Sequence, residues 1–585
     1  MTPADRTRRA ERRPQGPAAL SETFVLLDNN SGGGPPSLLF TGPVEIIAAE
    51  TPEEVASALQ RLDAAVKSGL HAAGFFSYEL GYVLEPRLSA LMPQRRNVPL
   101  IWLGLYEAPA EMTPAQVEHW LATHTRSGTY HFTDVSLAWD DAFYQERFAE
   151  VQEKIRSGDI YQLNLTFKAR FLLSGSPLTF FLDLRRKQRV AYGGIVDTGK
   201  VTVLSASPEL FIELQGRRIA TRPMKGTAPR AGTLEADALA RRQLSEDTKQ
   251  RAENLMIVDL MRNDIGRISE IGSVCVTDLY TVETFQTLHQ MTSGVEATLK
   301  EGIGMAELLR AIFPPGSVTG APKIRAMELI AGLEIEPRGV YCGAIGYVSP
   351  KGRALFNVAI RTAVIFRDAN GEMGIGSGIV FDSQGAKEYA ECLLKMKFLT
   401  DPVKPFDLIE TMLFDPERGG YALLDRHIDR LKTSARYFAF ACDEAAVRRA
   451  LQEAVAGARE RLRVRLLLSA EGNVSVTTTP LPPPHPNPVM RFVVSETRLN
   501  SADIFLYHKT TRRELFDREW QHYSDSVGAD EVIYLNERGE LCEGSRTTIF
   551  LERGGRLLTP ALSSGLLPGT LRAELLCQGR ASEAV

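Results

Sequence analysis

No C-x-x-C pair occurs among the six cysteines, at 275, 342, 392, 442, 542 and 577, so neither a thiolate zinc site nor a dithiol couple is on offer. Thiols this scattered read as packing residues in a reducing compartment, and none sits in the glycine-flanked turn that presents a nucleophilic sulfur. Long apolar runs are missing too. Nowhere do about 18 consecutive apolar residues occur, and no apolar stretch follows the five arginines between Arg6 and Arg13, so neither a membrane span nor a secretory signal is expected. Nor does one sign of charge dominate: 68 basic residues face 72 acidic ones, which gives no global pull toward nucleic acid or a membrane surface. A cytoplasmic protein bound to neither is expected.

What is present is bulk. At 585 residues and 44% hydrophobic content the chain exceeds a single core and predicts two or three domains of α+β class. Residues 1–20, basic and broken by Pro3, Pro14 and Pro17, predict a disordered tail. Strands at Val25 to Leu27, Val44 to Ala48 and Gly74 to Tyr78, with an amphipathic helix at Glu53 to Ser68, predict a subdomain over 21–126. Ser127 to Asp141 reads as a connection. Longer elements follow over 140–399, with helices at Phe143 to Ser157, Ala252 to Met261 and Lys387 to Phe398 and a β-branched strand at Arg353 to Phe366. Pro402 and Pro405 mark a boundary. The last domain, 405–585, is divided by a stiff linker at Pro480 to Pro488.

Five strings carry the chemistry of the central region: SPELF (Ser207 to Phe211), RPMKGTAPR (Arg222 to Arg230), RAENLMIVDLMRNDIGR (Arg251 to Arg267), FPPGSVTGAPKIRAMELI (Phe313 to Ile330) and GSGIVFDS (Gly376 to Ser383). Glu388, Glu391 and Lys395 stand at i, i+3 and i+7, which places two carboxylates and an ammonium on one helical face. Alone, that pattern is a solvated face with an intrahelical ion pair. Glu253 begins a helix whose next turns are apolar, so it is expected at the buried end of a core element, where a carboxylate must be paired or ligate a metal. The GSGIV run is expected as a loop whose glycines leave backbone N–H groups open to an anion. Arg361 offers a bidentate clamp.

In this order the strings resemble the chorismate-utilising family of anthranilate synthase, isochorismate synthase and aminodeoxychorismate synthase component I, over Phe143 to Leu399. The resemblance implies a large β-sandwich and helix core of the anthranilate synthase component I kind. It implies Mg2+ on Glu253 and Glu391, with Glu388 acting through water, holding a carboxylate of chorismate. It also implies substrate contacts from His289, Arg361, Gly376, Ser377, Gly378 and Lys395, and Glu209 as the acid that helps the C4 hydroxyl depart. Gln250 stands where relatives carry an outer carboxylate. Lys225 separates the branches: the anthranilate-forming branch has alanine before Gly-Thr, the aminodeoxychorismate branch lysine, as in RPMKGT here. In that branch the lysine attacks C2, and ammonia then adds at C4 and expels it. A glutamine amidotransferase subunit is implied as the ammonia source, since no cysteine here is placed to hydrolyse glutamine.

From Phe406 the strings FDLIETM, LLDRHIDRLKTSARYF (Leu423 to Phe438), LRVRLLLS (Leu462 to Ser469), YHKTTRR (Tyr507 to Arg513) and DEVIYLNERGELCEGSRTTIF (Asp530 to Phe550) resemble the fold-type IV pyridoxal-phosphate enzymes, which include branched-chain aminotransferases and aminodeoxychorismate lyase. The resemblance implies pyridoxal 5′-phosphate as cofactor, with Lys509 as the Schiff-base lysine, Glu543 at the pyridine nitrogen and Arg430 on the phosphate. Backbone N–H groups of Gly569, Thr570 and Leu571 would complete the phosphate cup at a helix start. Thr548 replaces a frequent asparagine, and Leu571 a frequent threonine. Relatives run some tens of residues past this helix, so the domain is expected to be incomplete at its C-terminal end. Fold-type IV sites commonly form across dimers, which implies a homodimer. Together the two resemblances imply production of p-aminobenzoate for folate; the rival is an anthranilate or isochorismate synthase with an aminotransferase-like or non-catalytic docking module.

Overall fold

The computed structural model describes residues 23–31, 33–125, 128–285, 288–401, 404–482 and 489–585; the tail 1–20 and positions 483–488 of the proline-rich stretch lie outside the described residues. Two compact units result. One runs to Ala228 and resumes at Leu244, while the other takes Pro229–Gln243 together with the chain from Lys404 on.

Period-two patterning builds the first unit. Val25, Phe40, Val196 and Val203 of one sheet share a buried cluster with Ala73, Phe75, Trp102 and Ile345 of another. Their strand neighbours Leu26, Leu39, Ile195, Leu204, Phe76 and Leu103 lie in a second cluster with helix residues such as Leu59, Leu62, Phe180 and Ile257. Successive strand side chains point to opposite faces, so the alternation makes a two-sheet sandwich with helices packed outside it. Among the described residues each sheet has ten strands, paired antiparallel.

Several sequence expectations change here. Residues 21–126 supply strands to both sheets and so are not a separate subdomain: Phe24–Asp28 and Ser37–Thr41 join one, and Glu45–Ala49, His71–Phe76 and Ile101–Tyr106 the other. The supposed connection holds an edge strand, Tyr130–Leu137, whose mostly exposed side chains give no apolar period to read. The run Arg353 to Phe366 is two strands in different sheets, Arg353–Val358 and Thr362–Phe366, with Arg361 in left-handed backbone (φ 52°) where the chain crosses.

Six elements carry the first site: strand β1 (Gln162–Gly175), strand β2 (Met224–Pro229), helix α1 (Thr248–Gly266), strand β3 (Leu288–Thr298), strand β4 (Asn370–Ile379) and helix α2 (Gly385–Thr400). The Asp247 carboxylate caps α1 by accepting from the Gln250 N–H (2.8 Å). Glu253 therefore lies in the second turn and does not begin the helix; it is half-buried, and the nearby Leu255 is 48% exposed. GSGIV is largely the end of β4, with only Val380 beyond the strand.

In the second unit a four-stranded sheet contains β5 (Leu408–Asp415), against which helix α3 (Leu424–Phe438) packs. Leu408, Met412, Ile428, Leu431, Ala435, Val464 and Leu466 form its core, and Leu234 packs against it. The unit also holds two three-stranded sheets, helices over Glu444–Ala454 and Glu514–Val527, and helix α4 (Thr570–Cys577). Pro229–Gln243 is fastened here by Arg230, whose guanidinium lies 4.1 Å from the centre of the Tyr437 ring and pairs with Asp237 (2.8 Å). Gly232 sits against the Tyr507 ring, where a β-carbon would come within 2.2 Å of it.

Candidate active sites

Strands β1 and β4 lie side by side, with Gly376 opposite Thr166 and Gly378 opposite Asn164. The Thr166 N–H donates to the Glu334 carboxylate (2.9 Å) and the Asn164 N–H to the Thr319 carbonyl (3.0 Å), so neither donates to β4. In an antiparallel ladder this makes both glycines members of non-hydrogen-bonded pairs, with their own N–H and C=O groups directed to the far edge of β4. The strand Thr362–Phe366 pairs only with Gly371 to Met373, leaving that edge open beside the two glycines. The Gly376 carbonyl accepts there from the Lys395 ammonium (2.8 Å). The open N–H groups expected from the sequence are thus offered by a strand edge rather than a loop. Ser377, out of phase with them, turns its hydroxyl to that of Tyr144 (3.0 Å).

Lys225 on β2 meets this glycine row. A β-carbon on Gly378 would lie 2.8 Å from Lys225 Nζ, 2.9 Å from Asn164 Oδ1 and 3.2 Å from Gln162 Nε2. Behind the lysine, Asn254 on α1 donates to the Lys225 carbonyl (3.3 Å) and accepts from the Ser293 hydroxyl on β3 (2.5 Å). Burial holds the Lys225 amine below its ordinary pKa, helped by the charge of Lys395, against the pull of Glu253, Glu209 and Glu391.

Glu209 is 3% exposed, and its Oε1 has no hydrogen-bond partner among the described residues. Burial pushes its carboxyl up to about 7, outweighing the Ser317 hydroxyl, the Lys225 charge and the Met224 N–H. A protonated carboxylic acid at neutral pH is what a departing hydroxyl needs. The Glu253 carboxyl is also raised, first by burial, with the like charges of Glu388 and Glu391 adding to the effect against Lys225 and Lys249. Glu391 pairs with Lys395 (2.6 Å). Among the described residues no three His, Cys, Asp or Glu side chains converge into a ready-made metal site. The expected trio Glu253, Glu388 and Glu391 is instead gathered loosely, and a cation brought among mutually repelling carboxyls would relieve them. Magnesium bound by one or two carboxylates plus water and substrate oxygens fits this donor set.

His289 on β3 is buried, its Nδ1 3.0 Å from the Thr284 hydroxyl. The Arg361 guanidinium is lowered to about 10 by burial. Sequence reasoning missed Gln162, Asn164, Thr166, Ser317 and Asn254. A signal for the first three existed: polar residues at 162, 164 and 166 alternate with Leu163, Leu165 and Phe167, one polar face on an otherwise buried strand.

In the second unit the Lys509 carbonyl accepts from the Ile409 N–H on β5 (2.9 Å), which fixes the lysine beside that strand. Burial lowers its amine to about 8, helped by Arg430 and Arg513 and opposed by Glu410 and Glu543. Burial raises Glu543 to about 7 although the Leu567 N–H donates to it (3.2 Å); a cationic ring nitrogen against it would reverse that shift. Arg430 on α3 grips Glu410 with Nε (2.9 Å) and Nη2 (2.6 Å), and its Nη1 donates to the Pro568 carbonyl (3.3 Å). Glu410 also meets His427 Nδ1 (2.6 Å), and His427 Nε2 lies 3.3 Å from the Thr570 hydroxyl at the start of α4. Burial alone would raise Glu410, but Arg430 and His427 hold it below the usual carboxylate range. Glu410, overlooked in the sequence, therefore fixes Arg430 beside the Gly569 to Leu571 turn. A β-carbon on Gly569 would come within 2.6 Å of the Thr548 hydroxyl, so this turn approaches closely enough to act as a cradle. A lysine, a buried acid and an arginine at a helix start fit pyridoxal 5′-phosphate. Among the described residues no helix is long and apolar enough to cross a membrane.

Residues 22–401 match the family described as chorismate binding enzyme, and residues 407–582 match amino-transferase class IV. The chain belongs to the family of chorismate binding enzymes, with a class IV aminotransferase domain joined to it. It is 39% identical over 340 residues to aminodeoxychorismate synthase component 1 of Klebsiella aerogenes, covering 57% of this chain and 71% of that one. It is equally identical over 344 residues to the protein of that name from Escherichia coli strain K12, at 56% and 75% coverage. The crystal structure of anthranilate synthase component I from Streptococcus pneumoniae superposes with a TM-score of 0.51 at 27% identity, over 65% of this chain and 91% of that one.

Proposed function

We propose that the chain is a fused aminodeoxychorismate synthase and lyase. Its first unit converts chorismate and ammonia to 4-amino-4-deoxychorismate, and its second releases p-aminobenzoate and pyruvate, feeding folate synthesis. The observation that carries this reading is the Lys225 amine, held below its ordinary pKa against Gly378 and in electrostatic reach of the buried acid Glu209.

The Lys225 amine attacks C2, the ring double bonds shift, and the C4–O bond breaks as Glu209 gives its proton to the hydroxyl, which leaves as water. Ammonia then attacks C4, the double bonds shift back, and the C2–N bond breaks to return the lysine. Glu209 recovers its proton from the new ammonium group. The N–H groups of Gly376 and Gly378 on the open edge of β4 and the Arg361 guanidinium bind the substrate carboxylates, and His289 lines the same site. Glu253 and Glu391, with Glu388 through water, would hold magnesium, which would supply positive charge for those carboxylates.

In the second unit Lys509, Glu543, Arg430 and the backbone of Gly569, Thr570 and Leu571 hold pyridoxal 5′-phosphate, which when bound supplies an electron sink for bond breaking. Lys509, with its amine near 8, moves the proton that elimination requires. Ammonia comes from a glutamine amidotransferase subunit, the second unit pairs with its own copy, and the enzyme works in the cytoplasm.

The test is to incubate the chain with chorismate, Mg2+ and an ammonium salt and to separate the products by chromatography with mass detection. p-Aminobenzoate with pyruvate supports both halves. 4-Amino-4-deoxychorismate alone supports the synthase and removes the lyase, whereas anthranilate overturns the assignment of Lys225.

A further inference from the structure

The side-chain amide of Asn164 has one orientation open to it. Its Nδ2 donates to the Ser317 carbonyl (3.3 Å), which has no proton to give, and its Oδ1 accepts from Gln162 Nε2 (3.2 Å). Reversing the amide would set two acceptors against each other at Ser317, whereas Gln162, whose Oε1 has no partner among the described residues, could turn its own amide to suit either orientation. Oδ1 is therefore fixed on the side of Gly378, 2.9 Å from the point where a β-carbon there would begin, and Lys225 Nζ lies 2.8 Å from the same point. The Ser317 carbonyl does the orienting, and Gln162, whose Nε2 donates to Oδ1, is 1% exposed. Ser317 serves both sides of the site, its carbonyl holding Asn164 while its hydroxyl bears on Glu209.

We propose that Asn164 is the positioning residue of the Lys225 amine, accepting one of its N–H groups so that the nitrogen lone pair is aimed at the substrate; this rests on Lys225 being the nucleophile. The chemistry of an amide suits the task. A nucleophilic amine must be neutral, and an uncharged acceptor orients it without adding the negative charge that would favour the ammonium form. An aspartate in the same place would orient the amine and also hold it protonated.

Two variants separate these effects, with ammonia-dependent amination of chorismate measured on the full chain. Asn164→Leu, of similar volume, is expected to lower kcat about 10- to 100-fold with the chorismate KM within about twofold, because orientation is lost and substrate binding is not. Asn164→Asp is expected to move the acid limb of the pH–rate profile upward by about one pH unit or more. Competitive acetylation of Lys225 across pH, read by mass spectrometry, reports the same titration without catalysis. Should either variant fail to fold, Asn164→Ser, smaller than the native residue and so free of steric conflict, is read for kcat and for Lys225 acetylation. Parental kcat in Asn164→Leu, or a parental profile and acetylation curve in Asn164→Asp, overturns the proposal. Lys225→Ala keeps the two ideas apart: if it aminates at the parental rate, the nucleophile reading falls first; if it is inactive while the Asn164 variants behave as parent, only the positioning role falls.

Discussion

Lys225 Nζ occupies the space that a side chain on Gly378 would need, 2.8 Å from where its β-carbon would begin. The two residues lie on strands of different sheets, and a side chain at 378 would have to displace the amine.

Gly378→Ala should leave the fold intact, because the atoms in its way are the ends of flexible side chains, yet displace the amine. Amination is expected to fall at least about tenfold, since misplacement of a reacting group by about 1 Å costs rate steeply, while the thermal midpoint moves little. A Gly378→Ala enzyme with parental kcat would mean that the lysine does not work from this position.

Glu209 makes stability and activity oppose each other. Its carboxyl is raised from 4.5 to about 7 in the folded chain, so the folded state binds the proton more tightly than the unfolded one. Full stability is present below about pH 4.5 and is lost as pH rises through about 7, by roughly 3 kcal/mol in all. Glu209→Gln should therefore unfold at a higher temperature than the parent at pH 8 and at about the same temperature at pH 4.5, while losing amination. A midpoint difference independent of pH would contradict the raised pKa.

The opposite sign applies to Glu410. Its carboxyl is held below 4.5 by Arg430 and His427 despite burial, so its contribution is present above the unfolded value and is lost as pH falls through the folded one. Glu410→Ala leaves Arg430 buried without its carboxylate and is expected to cost about 3–5 kcal/mol, measured as denaturant unfolding of the second unit by its tryptophan, Trp520. It should also weaken pyridoxal 5′-phosphate binding, because the arginine loses its anchor.

Pyridoxal 5′-phosphate added to the purified chain is expected to give a visible absorption band that forms faster as pH rises through about 8, the value to which the Lys509 amine is lowered. Lys509→Ala should give none. An unchanged spectrum in the parent would leave the second unit without its cofactor and remove the lyase half of the function.

The candidate residues proposed for the chemistry were legible because their strings are short and local. Glu209, Lys225, Lys509 and Glu543 can each be picked out within a handful of neighbours. What surrounds them was not legible, because it is made by distant pairings: Asn164 meets Gly378 only through the register of β1 on β4, and Glu410 meets Arg430 across a strand and a helix. Arg361 misled the strand reading because β-branched residues continue on both sides of it, and only the backbone turn at φ 52° shows that the chain changes sheets there. Glu253 looked like a helix start because the apolar run begins beside it, although the cap at Asp247 lies six residues earlier.

Pro229–Gln243 gives the fusion a property that a tandem arrangement would lack. The chain leaves the first unit just after Lys225, builds Arg230, Gly232 and Leu234 into the second, and returns to the first. No single cleavage separates the two cleanly: a cut near residue 404 strips a piece of core from one product and leaves it dangling on the other. Exchanging the lyase half between related chains would thus mean transplanting two segments, because one unit is spliced into the sequence of the other rather than appended after it.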